Sequence, residues 1–233
     1  MDKIVLQTTG LGRSYRAGRE TVHALENVEM AVAQGEFVAI VGPSGSGKST
    51  LLNLLGGLDQ PTSGKVLLDG LDLANYNEEQ LAALRRQKLG FIFQRHDLFP
   101  ELLVRENVEF PLLLNGALPE ERRQRADSLL ELVGLPEKAD HLPEELSGGQ
   151  QQRVGIARSL ANMPLILLAD EPTGNLDSAT AAEIIEVLIA LVRRQGLTLV
   201  MVTHDPEVAG RADRILTMLD GHLSAQINEV RKK

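Results

Sequence analysis

Gly42-Pro43-Ser44-Gly45-Ser46-Gly47-Lys48-Ser49 satisfies the pattern G-x-x-x-x-G-K-[ST] at every fixed position. Average residue frequencies give those positions about a one in a hundred chance of arising somewhere in a chain of this size. The flanks fit as well. Phe37-Val38-Ala39-Ile40-Val41 is a compact apolar run, the mark of a strand buried on both faces, and Lys48 to Leu58 has the composition of a helix. Glycines let the backbone curl so that successive N–H groups converge on one anion. The following helix adds its unpaired N-terminal N–H groups and the positive end of its dipole. Lys48 then reaches the β- and γ-phosphates of ATP, and Ser49 offers a hydroxyl to Mg²⁺. Residues Gly42 to Ser49, with Thr50 in the first helical turn, form the expected nucleotide site.

Outward from this loop, strands and helices alternate. Ile4-Val5-Leu6 and then Val28, Met30 and Val32 predict antiparallel strands before Gly35. Val66-Leu67-Leu68 with Gly70 predicts another strand and turn, Glu78 to Lys88 a helix, and Gly90 to Phe93 a strand. From about Arg95 to Asn162 helical periodicity dominates, with Pro at 100, 111, 119, 136 and 143 punctuating it. Leu165 to Leu168 and Leu197 to Val202 follow as buried strands around a helix from Ala179 to Arg194. Ile215 to Met218 and His222 to Ile227 flank a hairpin turn at Asp220-Gly221. The expected fold is α/β: a parallel-sheet core (1–94 and 163–233) with an N-terminal antiparallel β-subdomain and an inserted helical subdomain (95–162), together one domain.

A second chemical element stands at the end of the Leu165 strand, where Asp170-Glu171-Pro172 places two carboxylates at the carboxyl edge of the sheet, the usual ligand crevice. Asp170 suits a water-mediated hold on Mg²⁺, and Glu171 the general base for the attacking water. Farther along, Leu146-Ser147-Gly148-Gly149-Gln150 precedes a helical run from Gln151 to Ala161. Ser147 is a good N-cap, but two successive glycines each cost a helix about 1 kcal/mol against Ala. They are expected where another group must approach the backbone closely, as at a second anion-binding helix start.

Composition narrows the field. The 233 residues carry a formal charge of −8, no Cys, 43% hydrophobic and 24% charged residues. An acidic balance disfavours nucleic acid as partner, and the missing Cys removes disulfides and thiolate zinc sites. His23, His96, His141 and His222 are scattered without metal-ligand spacing. Met1 to Val5 lacks a signal-peptide layout, and the apolar stretch Ile184 to Val192 is too short for a membrane span. The chain is expected to be cytosolic, with any membrane role exerted through a partner.

Leu146 to Gln150 resembles the signature segment of ABC-transporter ATPases, and the other motifs of that family occur in order along the whole chain. The resemblance implies a P-loop NTPase core and a head-to-tail homodimer. Ser147, Gly148, Gly149 and Gln150 of one copy would cap ATP held by the loop of the other. It implies that Gln94, after Phe91-Ile92-Phe93, is the lid glutamine near Mg²⁺ and that His204 is the switch histidine at the γ-phosphate. It also implies that Asp177, in Asn175-Leu176-Asp177, lies at the dimer contact and that Tyr15 stacks on adenine. Lys48, Gln94, Glu171 and His204 are then the catalytic set.

Leu55 to Asp59 with Pro61 to Gly64, Gln87 to Gln94, and Ala169 to Asp177 resemble the lipoprotein-releasing LolD group and its MacB-type relatives; some LolD members carry Glu at the position of Gln150. Such cassettes hydrolyse ATP at the cytoplasmic face of the inner membrane to drive permease subunits of the LolC/LolE or MacB kind. FtsE-like cassettes, which serve a regulatory membrane partner, share these features. The chain ends soon after the Asp220-Gly221 hairpin, so no C-terminal regulatory domain is expected. The apolar loop with Leu98, Phe99, Leu102 and Leu103 is expected to meet the membrane partner.

Overall fold

The computed structural model describes residues 3–18, 20–94 and 97–226. Arg95, at the expected start of the helical lobe, His96, and Ile227, at the expected end of the last strand, lie outside the described residues. Two sheets organise the chain. A six-stranded sheet runs in the order β10 (His222–Gln226), β9 (Arg214–Leu219), β3 (Phe37–Val41), β8 (Thr198–Val202), β7 (Ile166–Asp170), β6 (Leu89–Ile92). Its strands pair in parallel except for β10, which returns antiparallel through the Asp220-Gly221 turn.

The apolar runs become strands buried on both faces because alternate side chains serve two cores. Ala39, Leu167, Ala169, Leu199 and Met201 point to one cluster; Val38, Ile40, Leu168, Val200 and Val202 point to the other. The first cluster is completed by α3 (Val104–Leu114), α4 (Pro119–Leu132), α5 (Gly148–Ser159) and α6 (Ser178–Gln195). The second is completed by α1 (Lys48–Leu55), α2 (Glu78–Lys88) and the antiparallel sheet β2-β1-β4-β5. Those four strands are Glu20–Ala33, Ile4–Ala17, Ser63–Leu68 and Leu71–Asp72. Helix α1 buries Leu51, Leu52, Leu54 and Leu55 between the two sheets. A four-residue helix, α7 (Pro206–Ala209), follows β8.

Two helix boundaries differ from expectation by three residues. Helix α1 stops at Leu55, three residues early, because Gly57 turns left-handed (φ 62°) and the Leu58 N–H reaches back to the Asn53 carbonyl at 2.8 Å. Helix α5 starts three residues early, at Gly148, because Ser147 and Gln150 cap it reciprocally. The Gln150 N–H donates to Ser147 Oγ (3.3 Å) and the Ser147 N–H to Gln150 Oε1 (3.0 Å).

At the β4–β5 turn, Asp69 sits at φ 51° and pairs with Lys3 (2.8 Å) and Lys88 (2.6 Å), tying the first strand to the end of α2. Hydrogen bonds from these two ammonium groups hold its carboxyl at about 2. A carboxyl depressed in the folded state contributes stability above its unfolded value and loses it as pH falls through the folded value. Asp69→Asn, which tolerates the same backbone, should therefore lower unfolding free energy by about 1 kcal/mol at pH 7. In urea titrations the gap between the two proteins should close as pH drops from about 4 toward 2.

Candidate nucleotide site

The phosphate loop leaves β3 at Gly42 and enters α1 at Lys48, and its shape is enforced by its neighbours. A Cβ on Gly42 would lie 2.1 Å from the Met218 carbonyl oxygen, and one on Gly47, at φ 106°, 2.5 Å from that of Ala24. No larger residue fits either position. The Gly221 N–H bonds the Ser46 carbonyl at 3.0 Å, and the Glu26 N–H bonds the Gly221 carbonyl at 2.9 Å. The β9–β10 turn and β2 thus wall the loop from outside. Ser46 Oγ is buried with no hydrogen-bond partner, a polar atom that a phosphate oxygen would satisfy. Lys48 is itself 7% exposed and donates to the carbonyls of Gly42 (2.9 Å) and Pro43 (2.8 Å), so its ammonium lies inside the curl.

Asp170 ends β7 beside this loop. Burial pushes its carboxyl above the usual range, a hydrogen bond from Ser49 and the charge of Lys48 pull it back, and the negative Glu171 next to it adds to the rise. Glu171 is held at φ 45°, an uncommon conformation for this residue, by a bond from its N–H to the Val202 carbonyl (3.0 Å) and one from the Gly174 N–H to its own carbonyl (3.0 Å). Its Oε2 is 3.3 Å from His204 Nδ1. A Cβ on Gly174 would stand 2.8 Å from Gln94 Nε2 and 3.4 Å from Glu171 Oε2, so Gln94 and Glu171 converge on this glycine. Loop, Asp170, Glu171, His204 and Gln94 therefore share one crevice at the carboxyl ends of β3, β7, β8 and β6.

Four further residues shape this crevice. Asn175 clamps Gln94, accepting from Gln94 Nε2 at 3.2 Å and donating to the Gln94 carbonyl at 3.1 Å. Buried Thr203 receives the Asp205 N–H on its hydroxyl at 3.0 Å, shaping the turn that carries His204. Met218 and Ala24 act through backbone carbonyls alone. The Asn175 grip on Gln94 spans 81 residues and the Met218 and Ala24 contacts involve no side chain of theirs, so the sequence does not signal these contacts, whereas the Thr203–Asp205 bond is local.

Other expected residues sit apart. No hydrogen bond among the described residues joins 147–150 to 42–50. Gly149 owes its small size to its own chain: a Cβ there would be 2.2 Å from Thr180 Cγ2 on α6. The close approach expected at these glycines is met at Gly149 by a side chain of its own chain; Gly148 is exposed, whereas Gly149 is buried. Asp177 is the N-cap of α6, its Oδ1 accepting from the N–H groups of Ala179 and Thr180 (3.1 Å each) and its Oδ2 from Thr180 Oγ1 (2.6 Å). Those bonds hold its carboxyl below the usual range. Tyr15 is 39% exposed on β1, with the Arg13 guanidinium 4.5 Å from its ring centroid. Among the described residues no acidic or histidine cluster can hold a metal by itself, and no helix is long and apolar enough to cross a membrane.

A strand–glycine loop–helix with a buried lysine and facing carboxylates defines a P-loop nucleotide-binding protein. The ABC transporter family model matches residues 25–174. The chain is 47% identical over 219 residues to an uncharacterized ABC transporter ATP-binding protein of Bacillus subtilis, YknY, covering 94% of this chain and 95% of that one. It is equally identical over 226 residues to the lipoprotein-releasing system ATP-binding protein LolD of Legionella pneumophila, covering 97% and 100%. A dimeric post-hydrolysis structure of the cassette MJ0796, bound to ADP and Pi, superposes with a TM-score of 0.89 at 45% identity over 98% of this chain and all of that one. CbiO1 of Clostridium perfringens, part of the ABC transporter complex cbiONQ, gives 0.84 at 33% identity over 96% and 88%. The chain belongs to the ABC transporter family as an ATP-binding cassette.

The Gly149–Thr180 contact is open to a direct test. Gly149→Ala should cost about 1–3 kcal/mol through overpacking. Adding Thr180→Ser, which removes Cγ2 but keeps the hydroxyl for Asp177, should recover most of that loss in denaturant titrations.

Proposed function

We propose that this cassette hydrolyses ATP with Glu171 as general base and powers membrane permease subunits, with release of lipoproteins from the inner membrane as the transport it serves. The observation that carries the chemistry is the convergence of Glu171, His204 and Gln94 beside the phosphate loop. Lys48 and the loop N–H groups hold the β- and γ-phosphates. Ser49, Gln94 and, through water, Asp170 would hold Mg²⁺, which would supply charge neutralisation at the phosphates. Glu171 orients and deprotonates the attacking water, and His204 responds to the γ-phosphate.

The site is completed in a head-to-tail homodimer. Ser147 to Gln150 of one copy close over ATP on the other, and Asp177 lies at the contact. The N–H groups of Gly148 and Gly149, which take no part in the α5 capping box, and the dimeric form of MJ0796 support this reading. Tyr15 supplies the adenine platform. Lipoprotein release rests on the match to the full length of LolD, which also favours a peripheral place on the cytoplasmic face of the inner membrane.

The partner's docking place is a groove of about 600 Å³ with an apolar lining that includes Leu58, Phe91, Phe93, Phe99, Phe110 and Leu114. Phe99 packs on Phe110 with ring centroids 4.7 Å apart. Buried Asn107 holds the loop, accepting from the Phe99 N–H and donating to the carbonyls of Phe99, Leu102 and Leu103. Leu98 packs on the core instead, and of the four apolar loop residues Phe99 lines the groove.

Glu171→Gln should bind ATP, accumulate as dimer on a sizing column, and hydrolyse about 10²–10⁴-fold more slowly. Near-normal turnover would refute the role of Glu171. Phe99→Asp should cut transport in proteoliposomes with the copurified membrane partner by about tenfold or more, while basal hydrolysis of the free cassette stays within about twofold. Unchanged transport would remove the groove from the account.

A further inference from the structure

We propose that Asp59 is a positioning residue for the nucleotide base: a single carboxylate fixes the Tyr15 ring and draws Arg13 over it, so that adenine meets a platform already oriented. The inference rests on the reading of Tyr15 as the adenine platform. Tyr15 lies opposite Val22 on the β1–β2 ribbon. Two residues on, the Ala24 carbonyl abuts Gly47 of the phosphate loop. That spacing puts Tyr15 about 7 Å along the strand from the loop wall.

An exposed tyrosine on a hairpin ordinarily samples several rotamers, and stacking a base on it would first have to select one. Here the selection is built in. Asp59 Oδ2 accepts from the Tyr15 hydroxyl at 2.8 Å, while Oδ1 accepts from Arg13 Nη2 at 2.7 Å and from the Gln60 N–H at 2.7 Å. The backbone bond fixes the carboxylate, the carboxylate fixes hydroxyl and guanidinium, and the guanidinium stacks on the ring.

A purely structural tie between β1 and the segment after α1 already exists without these side chains. The Ser14 N–H donates to Thr62 Oγ1 (3.0 Å) and the Thr62 N–H to the Gly12 carbonyl (2.8 Å). The Arg13 arrangement even leaves its buried Nε without a partner, a cost that strand pairing alone does not require.

The test compares ADP with inorganic pyrophosphate, which lacks the base, by titration calorimetry on the full chain. ADP avoids hydrolysis. Tyr15→Ala should weaken ADP and spare pyrophosphate. Asp59→Asn and Tyr15→Phe should each weaken ADP by about 3–10-fold, with pyrophosphate within about twofold. Because the chain has no Trp and two Tyr, Tyr76→Phe leaves Tyr15 as sole emitter. Quenching of its emission by ADP should shift to higher ADP concentration when Asp59→Asn is added. If Tyr15→Ala alone changes the ADP-to-pyrophosphate ratio, Asp59 has no positioning role and the platform reading stands. If Tyr15→Ala leaves the ratio unchanged, the platform reading falls and the proposal with it. Equal weakening of both ligands by Asp59→Asn and Tyr15→Phe would mark a structural role and overturn the proposal. Should Asp59→Asn fail to fold, Tyr15→Phe decides alone.

Discussion

A backbone carbonyl 2.1 Å from where Gly42 would carry a Cβ, and another 2.5 Å from that of Gly47, confine the phosphate loop more tightly than any side-chain contact. The loop must run between the end of β9 and β2 without side chains at these points, and this passage sets its curl. The rest of the architecture serves that passage. Alternating burial along β3, β7 and β8 fills cores on both faces of the sheet. Their carboxyl ends are thereby aligned, and Asp170, Glu171 and His204 arrive at one crevice.

The nucleotide crevice and the start of α5 are connected through contacts within one chain. Asn175 grips Gln94 on the crevice side. Two residues later Asp177 caps α6, and Thr180 in the same turn both bonds Asp177 and fills the space beside Gly149. A shift at Gln94 or Glu171 thus has a short path of hydrogen bonds, chain and packing to the start of α5. At the far end of α5, Arg158 donates to the Asp97 carbonyl (2.7 Å) and lies 6.0 Å from the Phe99 ring in the groove. One twelve-residue helix spans from the proposed phosphate cap to the proposed partner groove, a geometry suited to carrying nucleotide state to a membrane partner.

Much of this was legible in the residues. Strands β3, β7 and β8 were readable because strands buried on both faces are continuous apolar runs, and the loop because its chemistry allows few alternatives. Helix ends were less legible: α1 stops at Leu55 because Gly57 turns left-handed, and α5 begins at Gly148 despite the helix cost of glycine, because a reciprocal cap compensates. Gly149 was legible only in part: a glycine demands close approach, but the residue alone does not name the neighbour, and the Thr180 side chain is one. The grip of Asn175 on Gln94 and of Asp59 on Arg13 and Tyr15 was invisible because the partners come from distant segments.

The central claim is that each nucleotide is closed by the opposite copy of the chain, and complementation tests it most directly. Lys48→Ala disables the loop of one copy, and Ser147→Phe disables the cap of the other. Alone, each variant should be inactive. In a head-to-tail pair an intact loop meets an intact cap once per mixed dimer, so an equimolar mixture should regain about a quarter of wild-type ATPase activity if the sites act independently. A mixture no more active than its components would contradict the account.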